Sequence, residues 1–260
     1  GADQLGHPAA EAVSFGGGDL SGNVDAHQAG ETVTLAGGEL TVNADGTFTL
    51  ENPTDLGDFS FQYRLTNDAG SDVASVTIQV RLSPTAVSDG LYTVMVGGTL
   101  SVAATDTDAL LANDDLGYPE ATLVNFGGGS IGGDVADNAS GDSVSLAGGE
   151  LTVNTDGSFT LAGPTTPGDY TFVYRLANAA GTSDAEVTIQ VQESPTATDD
   201  GPYTVKVGEN LTVASEDPGA LHANDLPGFP GPAAIASFGG GSLSGDATSN
   251  LAGESVVFAG

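Results

Sequence analysis

The sequence of 260 residues contains no cysteine and no tryptophan, and only four of its residues are basic. Without cysteine there is no disulfide and no thiolate metal site. It has no apolar run of about 18 residues, so it predicts no direct membrane insertion. The basic residues face 35 acidic ones, which gives a formal net charge of −31. A surface of that sign repels phosphate groups, so nucleic acid is excluded as a partner.

Glycine is abundant, with 39 residues, and valine, threonine, leucine and phenylalanine occur in short runs. No stretch keeps a helical period of apolar residues for more than two turns. This composition predicts short strands joined by many turns. Triplets of glycine at 16–18, 127–129 and 239–241 each end a short strand pattern. A phosphate-binding loop needs a helix N-terminus after the glycines, so a bulge or wide turn is favoured over that alternative.

An internal repeat organises the chain. Leu35–Leu50 reads LAGGELTVNADGTFTL and Leu146–Leu161 reads LAGGELTVNTDGSFTL, which agree at 14 of 16 positions at an offset of 111 residues. Apolar residues alternate with polar ones on both sides of an Asp-Gly pair, the pattern of a β-hairpin. A repeat of this fidelity predicts a tandem array of one domain.

The period predicts the domain boundaries. We expect residues 1–82 to form an incomplete immunoglobulin-like repeat without its first strands, 83–193 a complete repeat, and 194–260 a repeat without its C-terminal strands. The motif Ser-Pro-Thr-Ala at 83–86 and 194–197 marks both junctions. Proline fixes its own φ and holds the preceding residue extended, so this short connection is expected to keep successive domains nearly in line.

The strand patterns predict the fold class. Aromatic and aliphatic residues fall on alternate positions of 59–65 and 170–176, which is typical of a sheet face that packs in a core. β-branched residues alternate in the same way in 74–80 and 185–191, which predicts the closing strand of each repeat. Strands are also predicted at 91–96 and 98–104, and at their counterparts 202–207 and 209–215. Short connections favour antiparallel pairing. The prediction is an all-β chain of tandem antiparallel Greek-key β-sandwiches arranged as a rod.

Several of these motifs resemble the immunoglobulin-like and cadherin-like tandem repeats of large bacterial surface adhesins and biofilm proteins. The motifs are Pro84/Pro195, Asp89/Asp200 ahead of Tyr92/Tyr203, LLAND/LHAND, DGTFTL/DGSFTL, and FQYRLTNDAG/FVYRLANAAG followed by VTIQV. The resemblance covers essentially the whole chain and implies a surface-displayed rod, often stiffened by calcium. One element departs from it, because LLAND and LHAND continue as Asp-Leu-Gly and Leu-Pro-Gly rather than as an acidic run.

Acidic residues that recur in both copies, with a recurring asparagine as a neutral oxygen donor, are the candidate calcium ligands, because Ca²⁺ takes about six to eight oxygen ligands, mostly carboxylate and carbonyl. They are Asp89, Asp106, Asn113 and Asp114, with their counterparts Asp200, Asp217, Asn224 and Asp225. A site near the junction would brace neighbouring repeats. The alternative is that Asp and Asn hydrogen-bond their own turns and hold no metal.

Nothing in the sequence favours an enzyme. The histidines at 7, 27 and 222 align with Tyr118, Asn138 and Leu111, so none recurs between copies. No GxSxG-type nucleophile elbow, which needs a turn from a strand into a helix, is predicted. The first hypothesis is a structural extender of an extracellular or bacterial cell-surface adhesin, whose partners are the neighbouring repeats. The alternative is a subunit of an extracellular filament, in which identical chains join by strand exchange or edge pairing.

Overall fold

A computed structural model describes residues 9–243 and 245–257 of the chain. His7 therefore lies outside the described residues, as do the first eight and last three positions of the predicted domains. The described part contains 18 β-strands and three 3₁₀ turns of three residues each, and no α-helix. Below, the first, middle and third units are the described residues of 9–82, 83–193 and 194–257.

None of the helical turns in the described residues is long and apolar enough to cross a membrane.

The first unit contains seven strands in two sheets. They are β1 (Glu11–Gly16), β2 (His27–Gln28), β3 (Thr32–Leu35), β4 (Gly38–Val42), β5 (Phe48–Glu51), β6 (Gly57–Asn67) and β7 (Gly70–Val80). One sheet has the order β2-β1-β6-β7 and the other β3-β4-β5. The predicted hairpin is present, since β4 pairs β5 and Val42 lies opposite Phe48. Its turn is closed by the side chain of Asp45 and by Gly46, whose φ is 84°.

The middle unit repeats these elements and adds two strands before them. Its strands are β8 (Asp89–Met95), β9 (Thr99–Val102), β10 (Thr122–Gly127), β11 (Asn138–Ala139), β12 (Ser143–Leu146), β13 (Gly149–Val153), β14 (Phe159–Ala162), β15 (Gly168–Asn178) and β16 (Gly181–Gln192). The sheet orders are β11-β10-β15-β16-β8 and β12-β13-β14-β9. This division of strands between two facing sheets is that of an immunoglobulin-like Greek-key sandwich.

Among the described strands, all pairs are antiparallel except one. Strand β8 pairs β16 in parallel, with Val94 opposite Val191. Parallel strands need a long connection. Here β8 and β16 are the first and last strands of the unit, and all its other strands lie between them in sequence. The all-β sandwich predicted from the sequence is therefore confirmed, with this one parallel edge as an addition.

The core of the middle unit lies between its two sheets. The rings of Phe126, Phe159 and Phe172 meet edge to face, and Tyr92 packs on Phe159 in the same way at 5.0 Å between ring centroids. All three phenylalanines are fully buried. Such contacts add to the burial of apolar area, so this cluster stabilises the unit.

The third unit has only the short pair β17 (Ser237–Phe238) and β18 (Asn250–Leu251) in its described residues. The strands predicted at 202–207 and 209–215 are wrong, because residues 197–214 belong to no strand. In the middle unit the equivalent strands β8 and β9 are held by pairing with β16 and β14. Alternation of apolar residues is not sufficient where no described strand pairs with the segment.

Candidate functional site

The structure brings three of the four predicted ligands of the middle unit together. Asp89 begins β8, while Asn113 and Asp114 lie in the loop between β9 and β10. The Asn113 amide donates to Asp89 Oδ1 at 3.1 Å, and the backbone N–H of Val87 donates to Asp114 Oδ1 at 2.7 Å. We call Asp89, Asn113, Asp114 and the hydroxyl of Tyr174 the carboxylate cluster.

Sequence reasoning assigned Tyr174 to the core and missed its second role. Its ring is fully buried, but its hydroxyl reaches the cluster and lies 2.9 Å from Asp114 Oδ2 and 3.1 Å from the carbonyl oxygen of Leu110. A buried tyrosine hydroxyl normally finds a partner. A tyrosine in place of a phenylalanine at this inward-facing position is the sequence feature that could have indicated this role.

The cluster holds more acceptors than donors. The single hydroxyl proton of Tyr174 faces the Asp114 carboxylate and the carbonyl oxygens of Val87 and Leu110. Asp89 Oδ2 is buried and has no hydrogen-bond partner. An unpaired buried carboxylate oxygen is costly, so the site favours a proton or a cation.

The pKa values follow from this crowding. Burial, with a further contribution from the charge of Asp114, raises the pKa of Asp89 from 3.8 to about 7, although the nearby Tyr174 hydroxyl and the hydrogen bond from Asn113 oppose the shift. Burial also raises the pKa of Asp114. Both shifts have the direction expected for carboxyl groups removed from water.

Asp106 lies in a different turn from the cluster. Its carboxylate accepts a hydrogen bond from the backbone N–H of Ala103 at 2.8 Å, and its own N–H donates to the carbonyl oxygen of Ala103. This is the local pattern by which Asp closes turns. Asp217 does the same with Ala214 at 2.7 Å.

The third unit repeats the geometry of the cluster in part. The N–H of Thr198 donates to Asp225 Oδ1 at 2.7 Å, and the Asn224 amide donates to the carbonyl oxygen of Asp199 at 3.1 Å. Asp200 raises the pKa of the neighbouring Tyr203, after the larger effect of burial. The loop is thus brought close to the segment that follows the Ser-Pro-Thr-Ala motif in both copies.

In the described residues, no group of three or more His, Cys, Asp or Glu side chains lies close enough to hold a metal ion. A cation at the carboxylate cluster would therefore have two carboxylates, the Asn113 amide oxygen and backbone carbonyl oxygens as ligands. The cavity beside Asp89 has a volume of about 220 Å³, and its lining contains no histidine, lysine or cysteine.

The junction between the first and middle units is a second built feature. Leu82 and Tyr118 exchange two backbone hydrogen bonds of 3.0 and 2.9 Å, and Thr85 and Asp115 exchange two of 2.8 and 3.0 Å. Since β7 ends at Val80, a single residue separates the last strand of one unit from the first backbone contact with the next. We call these two pairs the junction ladder.

Side chains hold the same linker from the other side. Asn178, at the turn between β15 and β16, donates to the carbonyl oxygen of Leu82 at 2.9 Å. Ser83 Oγ donates to the carbonyl oxygen of Ala180 at 3.2 Å. Gly117 has a φ of 67°, and a Cβ at this position would collide with the backbone of Leu82 and Ser83. The linker is therefore fixed on both sides by the middle unit.

Arg81, the one residue between β7 and the junction ladder, contacts both units. Its guanidinium lies 2.6 Å from Asp58 of β6 in the first unit, and it stands over the ring of Tyr118 in the middle unit, 5.6 Å from the centroid. An exposed ion pair and cation–π contact each contribute about 0.5–1 kcal/mol. Together these two contacts connect the first and middle units through the side chain of Arg81.

The second junction has the same ladder. Glu193 and Phe229 exchange two hydrogen bonds of 2.8 Å, and Thr196 and Leu226 exchange two of 2.9 Å. Gly228 has a φ of 72° and lies against the backbone of Glu193, as Gly117 lies against Leu82. The ladder is thus a recurring property of the repeat.

No protein-family model matches the chain, and no curated protein matches it. Among solved structures it is similar to extracellular domains 3–5 of Drosophila OTK, with 15% identity and a TM-score of 0.45 over 72% of this chain and 53% of that one. It is also similar to the I67–I69 fragment of titin, with 14% identity and a TM-score of 0.35 over 72% and 57%. The insect immune protein hemolin matches with 16% identity and a TM-score of 0.33 over 71% and 40%. The chain thus spans about half the length of these structures.

Proposed function

We propose that this chain is a structural extender segment of a bacterial cell-surface or secreted adhesin, in which tandem β-sandwiches hold a binding module away from the cell. The observation that carries the proposal is the junction ladder. The same four backbone hydrogen bonds recur at both junctions, between positions 82 and 118 and 85 and 115 at the first, and between 193 and 229 and 196 and 226 at the second. A repeated junction of fixed geometry sets the direction of a chain of domains, which is what an extender requires.

The charge of the chain supports the same function. With 35 acidic and four basic residues, neighbouring repeats repel one another wherever they are not joined, so a chain of them is held extended. The sign also keeps the surface from nucleic acid and anionic lipid. We assign no catalysis to the chain, because the features that recur between units are turns, core residues and junction contacts.

Calcium at the carboxylate cluster is part of the proposal. Asp89, Asn113 and Asp114, and in the third unit Asp200, Asn224 and Asp225, supply the oxygen donors that Ca²⁺ prefers. The unpartnered Asp89 oxygen supports this assignment. Asp114 immediately precedes Asp115 of the junction ladder, so a cation there would stiffen the loop that holds the linker. Asp106 and Asp217 remain candidate ligands, with the turns described above as their structural role.

Small-angle scattering of engineered arrays tests the extender function. Two, four and eight copies of residues 83–193, joined as at the natural junction, are compared with arrays that carry a short Gly/Ser insertion before each Ser83. The maximum dimension of the natural arrays should grow linearly with copy number, whereas that of the inserted arrays should grow more slowly because the units reorient freely. Natural arrays whose size follows the compact scaling of about the 0.38 power of length would contradict the proposal.

A further inference from the structure

The first and last strands of the middle unit lie side by side. Strand β8 runs parallel to β16, with five pairs of facing residues from Asp89–Val187 to Met95–Gln192. Directly after β8, the backbone N–H of Val96 donates to the carbonyl oxygen of Gln192 at 2.8 Å. This bond extends the ladder to the end of β16, where the chain leaves the unit.

The linker before β8 continues along the same strand. The backbone N–H of Ala86 donates to Ser183 Oγ at 3.0 Å. The side-chain contacts between the start of the linker and the turn that joins β15 to β16, described above, lie farther along the same line. Positions 82–96 therefore follow positions 178–192 in order, and we call these two segments together the parallel seam.

A glycine keeps the two backbones of the parallel seam in contact near its middle. The pairing shifts by one residue between Asp89–Val187 and Tyr92–Ile189. At this shift Gly90 has a φ of 119°, and a Cβ there would lie 2.6 Å from the carbonyl oxygen of Thr188. Only glycine permits so close an approach, so the seam stays closed where its register changes.

We propose that the parallel seam is the element of the middle unit that resists tension, because a pull along the chain shears the whole seam at once. The chain enters the seam at residue 82 and leaves it after residue 192, at opposite ends. The pull is therefore directed along both strands, and the hydrogen bonds of the ladder share it. If the first and last strands were antiparallel, entry and exit would lie at one end, and tension would open the bonds one after another.

This inference deepens the extender function, on which it rests for the source of the tension. An extender joins a binding module to its anchor, so a force between them passes through every unit. Forced unfolding is governed by the unfolding rate, and shear of the seam is the step that sets this rate. The two proposals fail separately, because arrays can be straight without resisting force, and a strong seam can occur between junctions that bend.

Force spectroscopy of the whole chain tests the direction of loading through introduced cysteines, since the chain has none of its own. Attachment at the exposed positions of Leu82→Cys and Glu193→Cys pulls along the seam, whereas attachment at Leu82→Cys and Thr182→Cys pulls its strands apart at one end. At one loading rate, the unfolding force should be about three- to fivefold higher along the seam, because the facing pairs are loaded together. Equal forces in the two directions would overturn the proposal.

Single substitutions test the two ends of the seam at constant force along it. Val96→Pro removes the N–H that bonds to Gln192, and Ser183→Ala removes the acceptor for the N–H of Ala86. Each should shorten the lifetime of the folded unit about fivefold relative to its control, the effect of one hydrogen bond. The controls are Val96→Ala, which keeps the N–H, and Thr182→Ala, which changes an exposed neighbour of Ser183. A Ser183→Ala lifetime equal to that of Thr182→Ala, or a Val96→Pro lifetime equal to that of Val96→Ala, would also contradict the proposal.

Discussion

Gly117 lies directly against the backbone of Leu82, across the junction between the first and middle units. Leu82 is also the residue that exchanges two hydrogen bonds with Tyr118. A side chain at position 117 cannot be accommodated without moving the linker. The absence of a side chain at one position therefore decides whether the junction ladder can form.

Replacement of Gly117 by alanine should open this junction. The φ of 67° costs a non-glycine residue about 1–2 kcal/mol, and the collision with Leu82 and Ser83 adds about 1–3 kcal/mol. Gly97→Ala is the matched control, because Gly97 has a φ of 75° and open space around its Cβ position. Hydrogen exchange at the amides of Leu82 and Tyr118 should accelerate strongly in Gly117→Ala and little in Gly97→Ala. Equal effects in both variants would show that only backbone strain matters.

Replacement of Asp89 by asparagine should change how the stability of the middle unit depends on pH. The pKa of Asp89 is raised in the folded state to about 7, so its contribution to stability is fully present below about 3.8 and is lost as pH rises through 7. The unfolding free energy of the Asp89→Asn variant should therefore increase relative to that of the parent between pH 4 and 8. With allowance for partial solvent screening, the change is roughly 1–3 kcal/mol.

Urea titrations followed by the NMR signals of β15 measure this difference in the middle unit. Glu150→Gln is the control, since Glu150 is an exposed carboxyl on β13. It reports the effect of removing one carboxylate charge from the surface of the same unit. A difference for Asp89→Asn that does not change with pH, or one no larger than that of the control, would contradict the raised pKa of Asp89.

Calcium should raise the melting temperature of the middle unit, and a chelator should reverse the effect. A ligand present at about 100 times its dissociation constant adds about 2.7 kcal/mol, which corresponds to several degrees. Calcium binding requires ionised carboxylates, so the increase should be larger at pH 8 than at pH 5.5. The Asp89→Asn, Asp114→Asn variant should lose it, while Glu150→Gln keeps it. No shift for the parent at millimolar calcium would remove the metal from the proposed function.

The equivalent residues Phe159 and Phe48 should contribute differently to the stability of their units. Phe159→Ala removes a fully buried ring and should cost the middle unit about 3–5 kcal/mol. Phe48→Ala removes a ring that is 45% exposed and should cost the first unit about 1–2 kcal/mol at concentrations where the chain is monomeric. Hydrogen exchange of the two hairpins, 38–51 and 149–162, measures both losses. Equal costs would contradict the difference in exposure between Phe48 and Phe159.

The fold was largely predictable from the sequence because its signals are local. The repeat, the Asp-Gly turns and the alternation in 59–65 and 170–176 predict strands and core residues without reference to tertiary structure. The same reasoning was wrong at 202–207 and 209–215, where alternation is present but partner strands are not. A strand depends on its neighbours, and a local pattern does not record whether these are supplied.

The site was predictable only in part. Recurrence singled out Asp89, Asn113 and Asp114, but it gave the same weight to Asp106, which lies in a separate turn. The role of Tyr174 depends on a contact between its hydroxyl and Asp114, which is 60 residues away in sequence, so no local pattern indicates it. The junction ladder was not predicted at all. Gly117 stands where the sequence departs from the resembling repeats, and the contact that requires glycine there is visible only in three dimensions.

The most direct test of the account is the distribution of distances between the first and middle units in single chains. Fluorophores are attached to cysteines introduced at the exposed positions Ser71 and Asp142. The attachment sites are unambiguous because the chain has no cysteine of its own, and measurement of single molecules excludes contacts between chains. The account predicts one narrow distribution of transfer efficiency, which broadens in Gly117→Ala and stays narrow in Gly97→Ala. A broad distribution in the parent chain, unchanged by Gly117→Ala, would contradict a junction of fixed geometry.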